Sequence, residues 1–318
     1  MSAAELASQL LQTLLAVFLA PLVLGWVNQC RAWLQNRSGP GALQPYRLLY
    51  KLFLKDAVIA HNASWLFRSA PYVVFGCMVL AVSIVPVLAT DLPFSAAADV
   101  IALVGLFALA RVFIALAGMD VGTAFGSMGA RREMLVSSLA EPALLMVFFT
   151  PALISRSTAL TTIVEVLGHH ELTLYPSLAF AAVAFLMVLL AENARIPVDN
   201  PTTHLELTMI HEAMILEYSA RHLALIEWAH ALKLMTYTCI GIALFVPWGI
   251  APAGDWAMMP WSILALIAKL AAAGAGLAVL EVVSAKMRIF RVPEYLGMAF
   301  LLAVLGMLTH FLLEVNPA

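Results

Sequence analysis

The sequence predicts an all-α fold, a polytopic membrane helix bundle of about eight transmembrane helices joined by polar cytoplasmic loops. Hydrophobic residues make up 63% of the chain and charged residues 11%, whereas soluble domains average roughly 45–50% and about 25%. The apolar residues are also grouped in blocks of about 20, the length that a helix needs to cross a bilayer. We therefore expect a single integral membrane domain over residues 1–318.

Eight segments meet this length requirement. Their predicted bounds are Leu6–Val27, Ser69–Ala89, Val100–Ala117, Leu135–Ile154, Leu174–Ala191, Ile226–Gly249, Trp261–Val283 and Tyr295–Leu313. The third and the fifth are the shortest, at 18 residues each, and Pro176 lies near the start of the fifth. We expect Pro142 and Pro151 to kink the fourth. Polar cytoplasmic loops are predicted at about 28–68, 118–134, 192–225 and 284–294.

The placement of Lys and Arg orients the chain, because basic residues collect on the cytoplasmic side of a membrane. Thirteen of the seventeen basic residues fall on these four loops, and Arg156 lies between spans on the other side. This distribution predicts a bacterial inner-membrane protein with both termini in the periplasm. The long apolar run after a non-basic N-terminus indicates a retained first helix rather than a signal peptide.

The composition also excludes several classes of function. A net charge of −2 without a dense basic cluster is not typical of nucleic-acid binding. Cys30, Cys77 and Cys239 are scattered and form no CxxC pair, so an iron–sulfur cluster or zinc site in this chain is not expected. Any redox centre would belong to a partner. The lack of internal repeats disfavours an independent secondary transporter.

The first cytoplasmic loop combines tight turns with a stripe of cations. Glycine and proline predict corners over residues 39–45, followed by a helix over Tyr46–Val58. In that helix Arg47, Lys51 and Lys55 are each one turn apart. Such a stripe suits either an interfacial helix on lipid headgroups or a docking surface for a soluble subunit.

Ionisable residues at or within the spans are a second signal. There are seven: Arg111, Glu141, Glu192, Glu227, Lys233, Lys269 and Glu281. A charged side chain in a membrane is costly and indicates a function by default. Glu192 and Glu227 lie at helix ends, and we expect their side chains to reach out to the interface.

The loop that begins at Glu192 is the richest in polar motifs. Pro197 and Pro201 end the fifth span, and Asp199 or Asn200 is predicted to cap a new helix that runs through Leu205–Tyr218. Leu205, Met209, Ala213 and Leu216 would form its apolar side.

Two carboxylates of that helix, Glu206 and Glu217, are eleven residues apart and fall on nearly the same helix face. Carboxylates that share one groove suit a proton path, because burial and mutual repulsion raise the pKa of one of them. Capping and a solvated face explain the same residues equally well.

Two metal motifs are incomplete in this region. His211-Glu212 begins like the HExxH zinc motif, but Ile215 stands where its second histidine is needed. Glu227 and His230 match half of a di-iron helix motif, and no second copy is found. We predict no metal site.

Motifs along nearly the whole chain resemble the complex I subunit 1 family. The family's first-loop pattern is matched by Gln35, Arg37, Gly39, Pro40, Gln44, Pro45, Lys51 and Leu52. The later patterns are matched by Gly129–Arg132 with Glu141, by Arg195, Pro197 and Asp199, by Glu206-Leu207, by Glu217-Tyr218-Ser219, and by Ala285–Arg288 with Arg291–Glu294.

Departures from this pattern favour the hydrogenase branch of the family. Quinone-reducing members carry an acidic pair where this chain has Thr202 and His204, and their spacing from Glu-Leu to Glu-Tyr-Ser is shorter. The run from Asn193 to Ser219 is similar to the membrane anchors of energy-converting [NiFe] hydrogenases of the formate hydrogenlyase and hydrogenase-4 type.

This resemblance implies a non-catalytic subunit that docks a peripheral electron-transfer arm and couples its redox reaction to proton or sodium translocation. The implied partners are the hydrogenase large and small subunits, a ferredoxin-like iron–sulfur subunit and antiporter-like membrane subunits. The [NiFe] centre and the 4Fe-4S clusters would lie in these partners, with no cofactor in this chain. A quinone-site subunit of a complex I-like NADH or ferredoxin:quinone oxidoreductase and a passive membrane anchor remain alternatives.

The resemblance also suggests roles for individual residues. Those expected on a proton path or in coupling are Glu141, Glu192, Glu206, Glu217, Asp199 and Arg195. Those expected to dock the peripheral arm are Gln35, Arg37, Gln44, Lys51, Arg131, Arg132, Arg288 and Arg291.

Overall fold

The computed structural model describes residues 3–90, 99–169, 175–199, 209–251 and 256–314. Within these ranges the chain forms eleven α-helices and no β-strand. The helices are α1 (Ala3–Leu34), α2 (Gln44–Phe53), α3 (Trp65–Ile84), α4 (Val100–Asp120), α5 (Ala124–Ser155), α6 (Leu160–His169), α7 (Pro176–Glu192), α8 (His211–Ile215), α9 (Ala220–Phe245), α10 (Met259–Val283) and α11 (Val292–Thr309).

Seven helical segments of the described chain are long and apolar enough to cross a membrane, which confirms the predicted all-α polytopic fold. They contain α1, α3, α4, α5, α9, α10 and α11. The fifth predicted span is α7, which has 17 residues and is about 26 Å long. Its sequence is as apolar as the others, but it falls short of the roughly 30 Å of a bilayer core.

Small residues let these helices approach closely. A Cβ at Gly126 of α5 would lie 2.1 Å from the carbonyl oxygen of Gly118 in α4, and one at Gly129 would lie 2.8 Å from that of Ile210. Both distances are shorter than a van der Waals contact. Glycine at these two positions therefore allows the α4–α5 corner and the chain before α8 to pack backbone against backbone.

Three predicted boundaries differ from the structure. Residues from Ala124 onward are helical, although the sequence predicted a loop over 118–134, because Thr123 caps α5 by accepting a hydrogen bond from the Gly126 amide. Helix α2 ends at Phe53, so Lys55 lies beyond it and does not continue the stripe. The helix predicted through Leu205–Tyr218 is limited to α8 among the described residues, and its first part lies outside them.

The predicted apolar side of that helix is partly confirmed. Met209 and Ala213 are buried, whereas Leu216 is 54% exposed because α8 has already ended there. Leu205 lies outside the described residues.

The four predicted cytoplasmic loops meet at one end of the bundle, which we call the basic end. Asp120 accepts a hydrogen bond from the Ser64 amide, 2.8 Å away. The Met287 amide donates to Pro197, 2.9 Å away, and Arg132 donates to the Met209 carbonyl. Segments far apart in sequence are thus joined into one polar surface.

Uncharged groups stabilise the opposite end. The Gln9 and Gln12 side chains of α1 are buried and donate to the carbonyls of Ser83, in the last turn of α3, and of Val85, which directly follows α3. The Gln12 amide oxygen also accepts from the backbone of Val87 and Leu88. These bonds satisfy an extended stretch of buried backbone that no helix pairs.

Candidate functional site

A buried cluster of charges lies where α4, α5, α7 and α9 meet. Glu192, the last residue of α7, is 6% exposed, and its carboxylate accepts from Arg111 at 2.7 Å and from Lys233 at 3.1 Å. Arg111 also donates to Glu141 on α5, 3.0 Å away. We call these four residues the Glu192 cluster.

The two carboxylates and two cations of this cluster balance in charge. Burial of an isolated ion would be prohibitive, so each charge depends on its neighbours. Glu141 is the most open member, with 34% of its side chain exposed, whereas Arg111 and Glu192 are at 5% and 2%. Arg111 therefore joins a sealed carboxylate to one that can reach the edge of the bundle.

A cavity of about 50 Å³ adjoins the cluster. A water molecule needs roughly 10–15 Å³ of such cavity volume, so the cavity has room for a few waters. Its polar lining consists of Arg111, Glu133, Glu192, His211, His230 and Lys233, and its apolar wall comes mainly from α3, α4 and α9. Buried and half-buried titratable groups around space for water form an arrangement that suits proton transfer.

A second cluster connects the segment that follows α7, in the predicted loop 192–225, to two other segments. We call this predicted loop the central loop and the predicted loop 284–294 the last basic loop. Glu281 of α10 pairs with Arg195, which follows α7, at 3.0 Å and with Arg31 of α1 at 3.4 Å. The Glu281 and Arg195 side chains are 1% and 3% exposed. We call these three residues the Glu281 cluster.

Asp199 closes the central loop. Its carboxylate accepts from the Ile210 amide at 3.3 Å and pairs with Lys286 at 3.4 Å. The sequence predicted Asp199 or Asn200 as the cap of a helix starting near Pro201. The described bond links Asp199 to Ile210, the residue just before α8, whereas Asn200 and the predicted start of that helix lie outside the described residues.

The structure therefore brings four of the six predicted coupling residues into ion pairs: Glu141, Glu192, Arg195 and Asp199. Glu217 is exposed in the turn after α8, and Glu206 lies outside the described residues. The expectation that Glu192 reaches out to the interface is wrong, because Arg111 and Lys233 hold its carboxylate inside.

The predicted docking residues lie along the basic end. Seven of the eight are exposed: Gln35, Arg37, Gln44, Lys51, Arg131, Arg288 and Arg291. Arg132 is only partly exposed, and it donates to the Met209 carbonyl at 2.8 Å. It therefore stabilises the central loop.

The first loop is held in a defined position on α1 and α9. The Gln29 side chain accepts from the Gly41 amide at 2.9 Å, and the Tyr46 hydroxyl donates to the Phe18 carbonyl. Leu49 and Leu52 of α2 pack with Ala224 of α9. The cations Arg47 and Lys51 are therefore presented outward on a fixed support.

The sequence interpretation missed several members of this site. Arg111, Lys233 and Glu281 stood among the ionisable span residues without a role, and Glu133, His211 and His230 were not proposed to act together. One signal was available, since His230, Lys233 and Tyr237 follow at three- and four-residue spacing on one face of α9. The contact of His211 with that face depends on chain folding.

Among the described residues no group of three or more His, Cys, Asp or Glu is placed to hold a metal ion.

Known proteins are similar to this chain in amino-acid sequence. A family model described as NADH dehydrogenase matches residues 8–312. Formate hydrogenlyase subunit 4 of Escherichia coli is 34% identical over 76% of this chain and 77% of its own length. Hydrogenase-4 component C of the same organism is 34% identical over 82% and 81%.

One solved structure shows the fold. A chain of the membrane-bound sulfane sulfur reductase, an archaeal respiratory membrane complex, superposes with a TM-score of 0.83 at 19% identity. The match covers 96% of this chain and 99% of the other. The helix arrangement described above is therefore the same fold as that of the matched chain.

Proposed function

The chain belongs to the NADH dehydrogenase family, that of complex I subunit 1, and on this basis we propose that it is the membrane subunit of an energy-converting hydrogenase complex. It docks a peripheral electron-transfer arm and couples the redox reaction of that arm to proton movement. The relatives named as formate hydrogenlyase and hydrogenase-4 subunits support this assignment.

One observation carries the proposal. The buried carboxylate of Glu192 lies between two cations and beside a cavity with room for water. Glu192 is also the last residue of α7, where the central loop begins. Charges in such a low-dielectric site interact far more strongly than in water. A change of charge or position in the loop above would therefore alter the proton affinity of the cluster.

The central loop connects the docking surface to this cluster. Asp199 joins it to Lys286 in the last basic loop, and Arg195 joins it to the Glu281 cluster. Glu192 lies three residues before Arg195 on the same backbone. A shift of the loop on reduction of the arm would move Glu192 against Arg111 and Lys233.

In this scheme Arg111 shifts its pairing between two carboxylates. When Glu192 takes up a proton it becomes neutral, and the guanidinium then favours Glu141. When Glu192 releases the proton, it regains its pairing with Arg111. The exposed Glu217 and Glu206, which lies outside the described residues, are proposed as entry groups for protons.

The proposed partners are the hydrogenase large and small subunits, a ferredoxin-like iron–sulfur subunit and antiporter-like membrane subunits. The [NiFe] centre and 4Fe-4S clusters would lie in those partners. The exposed cations of the first, second and last basic loops suit partners with an acidic docking face. The inner membrane, with both termini in the periplasm, is the proposed location.

Purification of the complex from membranes tests the assembly. We expect nickel and iron to co-purify with the chain. A co-purified NADH-oxidising module with bound flavin would contradict the hydrogenase assignment.

Glutamine variants test the coupling. The Glu192→Gln and Glu141→Gln variants are assayed in inverted membrane vesicles that turn over formate or molecular hydrogen. The readout is the number of protons moved across the membrane for each hydrogen molecule produced or consumed. We expect a loss of at least tenfold for Glu192→Gln, because general acid–base groups contribute roughly 10²–10⁴-fold.

Glu165→Gln is the matched control, since Glu165 is an exposed carboxylate on α6 at the opposite end. If both cluster variants assemble and still move protons like the wild type, the chain is a passive anchor and the coupling proposal fails.

A further inference from the structure

The two incomplete metal motifs of the sequence come together in space. His211, the first residue of α8, lies against His230 of α9, with ring centroids 4.9 Å apart and planes inclined at 31°. Nineteen positions of sequence separate them, so helix packing alone creates the pair. The charge clusters described above include neither ring.

Both rings line the cavity beside Glu192. Lys233, one turn beyond His230 on α9, donates to Glu192 at 3.1 Å, and Glu133 of α5 faces the same space. A chain of waters in the cavity would therefore connect the imidazoles to the Glu192 carboxylate.

Charged groups surround the pair from every neighbouring element. They are Glu212 of α8, Lys233 of α9, Arg195 and Asp199 of the segment after α7, and Glu133, Glu192 and Arg111 around the cavity. Burial holds the pKa of His211 below its usual value; Lys233 acts in the same direction, and Glu212 and Asp199 act against it. His211 is consequently a neutral imidazole near pH 7.

A neutral imidazole has one protonated and one free ring nitrogen, so it can accept a proton on one side and release one from the other. A ligand role has no support, since the described residues offer no third metal-binding side chain here. Two imidazolium ions 4.9 Å apart would repel, so the pair holds at most one additional proton.

We propose that the His211–His230 pair is the proton relay between the basic end of the bundle and the Glu192 cluster. This inference rests on the proposed function and names the residues that supply its protons. A donor at the basic end gives a proton to the free nitrogen of one ring, which becomes an imidazolium. That ring releases the proton of its other nitrogen to a cavity water, and the Glu192 carboxylate receives it as a carboxylic acid. The imidazole is neutral again after the transfer.

The test uses the intact complex in inverted membrane vesicles. His211→Gln and His230→Gln keep a hydrogen-bonding side chain but remove the group that accepts a proton. We expect protons moved per hydrogen to fall at least tenfold in each. Adding 4-methylimidazole to the buffer should restore at least a third of the loss, because the small base can occupy the space that the ring leaves.

His222→Gln is the matched control. His222 is buried on α9 and packs edge-to-face on Tyr72 of α3, with centroids 5.8 Å apart, and it does not line the cavity. It should move protons like the wild type and show no response to 4-methylimidazole.

Assembly of each variant is checked by co-purification of the arm, and His211→Asn replaces a variant that does not assemble. Proton movement within twofold of the wild type in an assembled His211 or His230 variant overturns the relay. If the histidine variants behave like the wild type and Glu192→Gln abolishes proton movement in the same vesicles, the proposed function stands while the relay fails. If Glu192→Gln also has no effect, the proposed function itself is wrong.

Discussion

The Glu192 and Glu281 clusters have the same chemistry but different surroundings. Each contains a buried carboxylate between two cations, at distances from 2.7 to 3.4 Å. The Glu192 cluster opens on a cavity lined by two histidines and a further carboxylate. The Glu281 cluster joins α1, α10 and the segment after α7, and its groups do not line that cavity.

This difference leads us to propose that one cluster exchanges protons and that the other stabilises the fold. A buried ion pair by itself is weak evidence for function, because structural ion pairs look the same. Access to water and to other titratable groups is the distinguishing property. We therefore infer that Glu281 positions the central loop, whereas Glu192 changes its protonation state.

The largest effect on stability is expected for Glu281→Ala. It leaves the buried Arg195 guanidinium without its carboxylate, which typically costs about 3–5 kcal/mol. We expect a lower melting temperature of the detergent-solubilised protein by tryptophan fluorescence, and less arm bound to the membrane. Glu165→Ala serves as the control at an exposed site. An unchanged melting temperature for Glu281→Ala would remove the structural role assigned to this cluster.

A smaller stability loss is expected for Lys233→Met, although the carboxylate it contacts is equally buried. Glu192 keeps Arg111 as a partner at 2.7 Å, so the loss is one charge-assisted hydrogen bond, about 1.5–3 kcal/mol. Proton movement should nevertheless fall more than in Glu281→Ala, after normalisation to the assembled complex. The reverse order of these two variants would refute the division between the clusters.

The hydrogen bonds of Gln12, at the end of the bundle opposite the basic end, provide a comparison with both charge clusters. Gln12→Ala removes an amide that serves Val85, Val87 and Leu88, and buried polar groups left unpaired cost about 1–3 kcal/mol. We expect a lower melting temperature with unchanged proton movement per hydrogen. Leu14→Ala, at an exposed position of the same helix, is the control. A loss of proton movement in Gln12→Ala would show that coupling extends across the bundle.

The smallest effect is expected for Lys286→Ala. The Lys286–Asp199 pair is 3.4 Å long and 23% of the lysine side chain is exposed, so solvent weakens the pair. Asp199 is 4% exposed but keeps the Ile210 amide as a donor, and we expect a loss of about 1 kcal/mol. A drop in melting temperature as large as that of Glu281→Ala would show that the central loop is held mainly from the last basic loop.

The overall fold was predictable because its signal is local. Long apolar runs define membrane helices wherever they occur in a sequence. Each of the eight predicted spans corresponds to a long apolar helix of the structure, and α7 is the shortest of these eight. The boundary of α5 was less predictable. The polar stretch from Ala124 to Glu133 reads as a loop, yet it is helical because Thr123 caps it and the glycines pack on α4 and the chain before α8.

The sequence by itself determined the membrane class, the apolar segments and the family, and it also singled out Glu141, Glu192, Arg195 and Asp199, since these depend on composition and on motifs within single segments. Only the tertiary structure decided which charges form ion pairs and which of them line a cavity. Arg111, Glu141, Glu192 and Lys233 lie on four different helices, and His211 reaches His230 through a turn that no periodicity describes. In a low-dielectric bundle the energy of each charge depends on partners a few ångströms away, and the chain order of those partners carries little information about their distance.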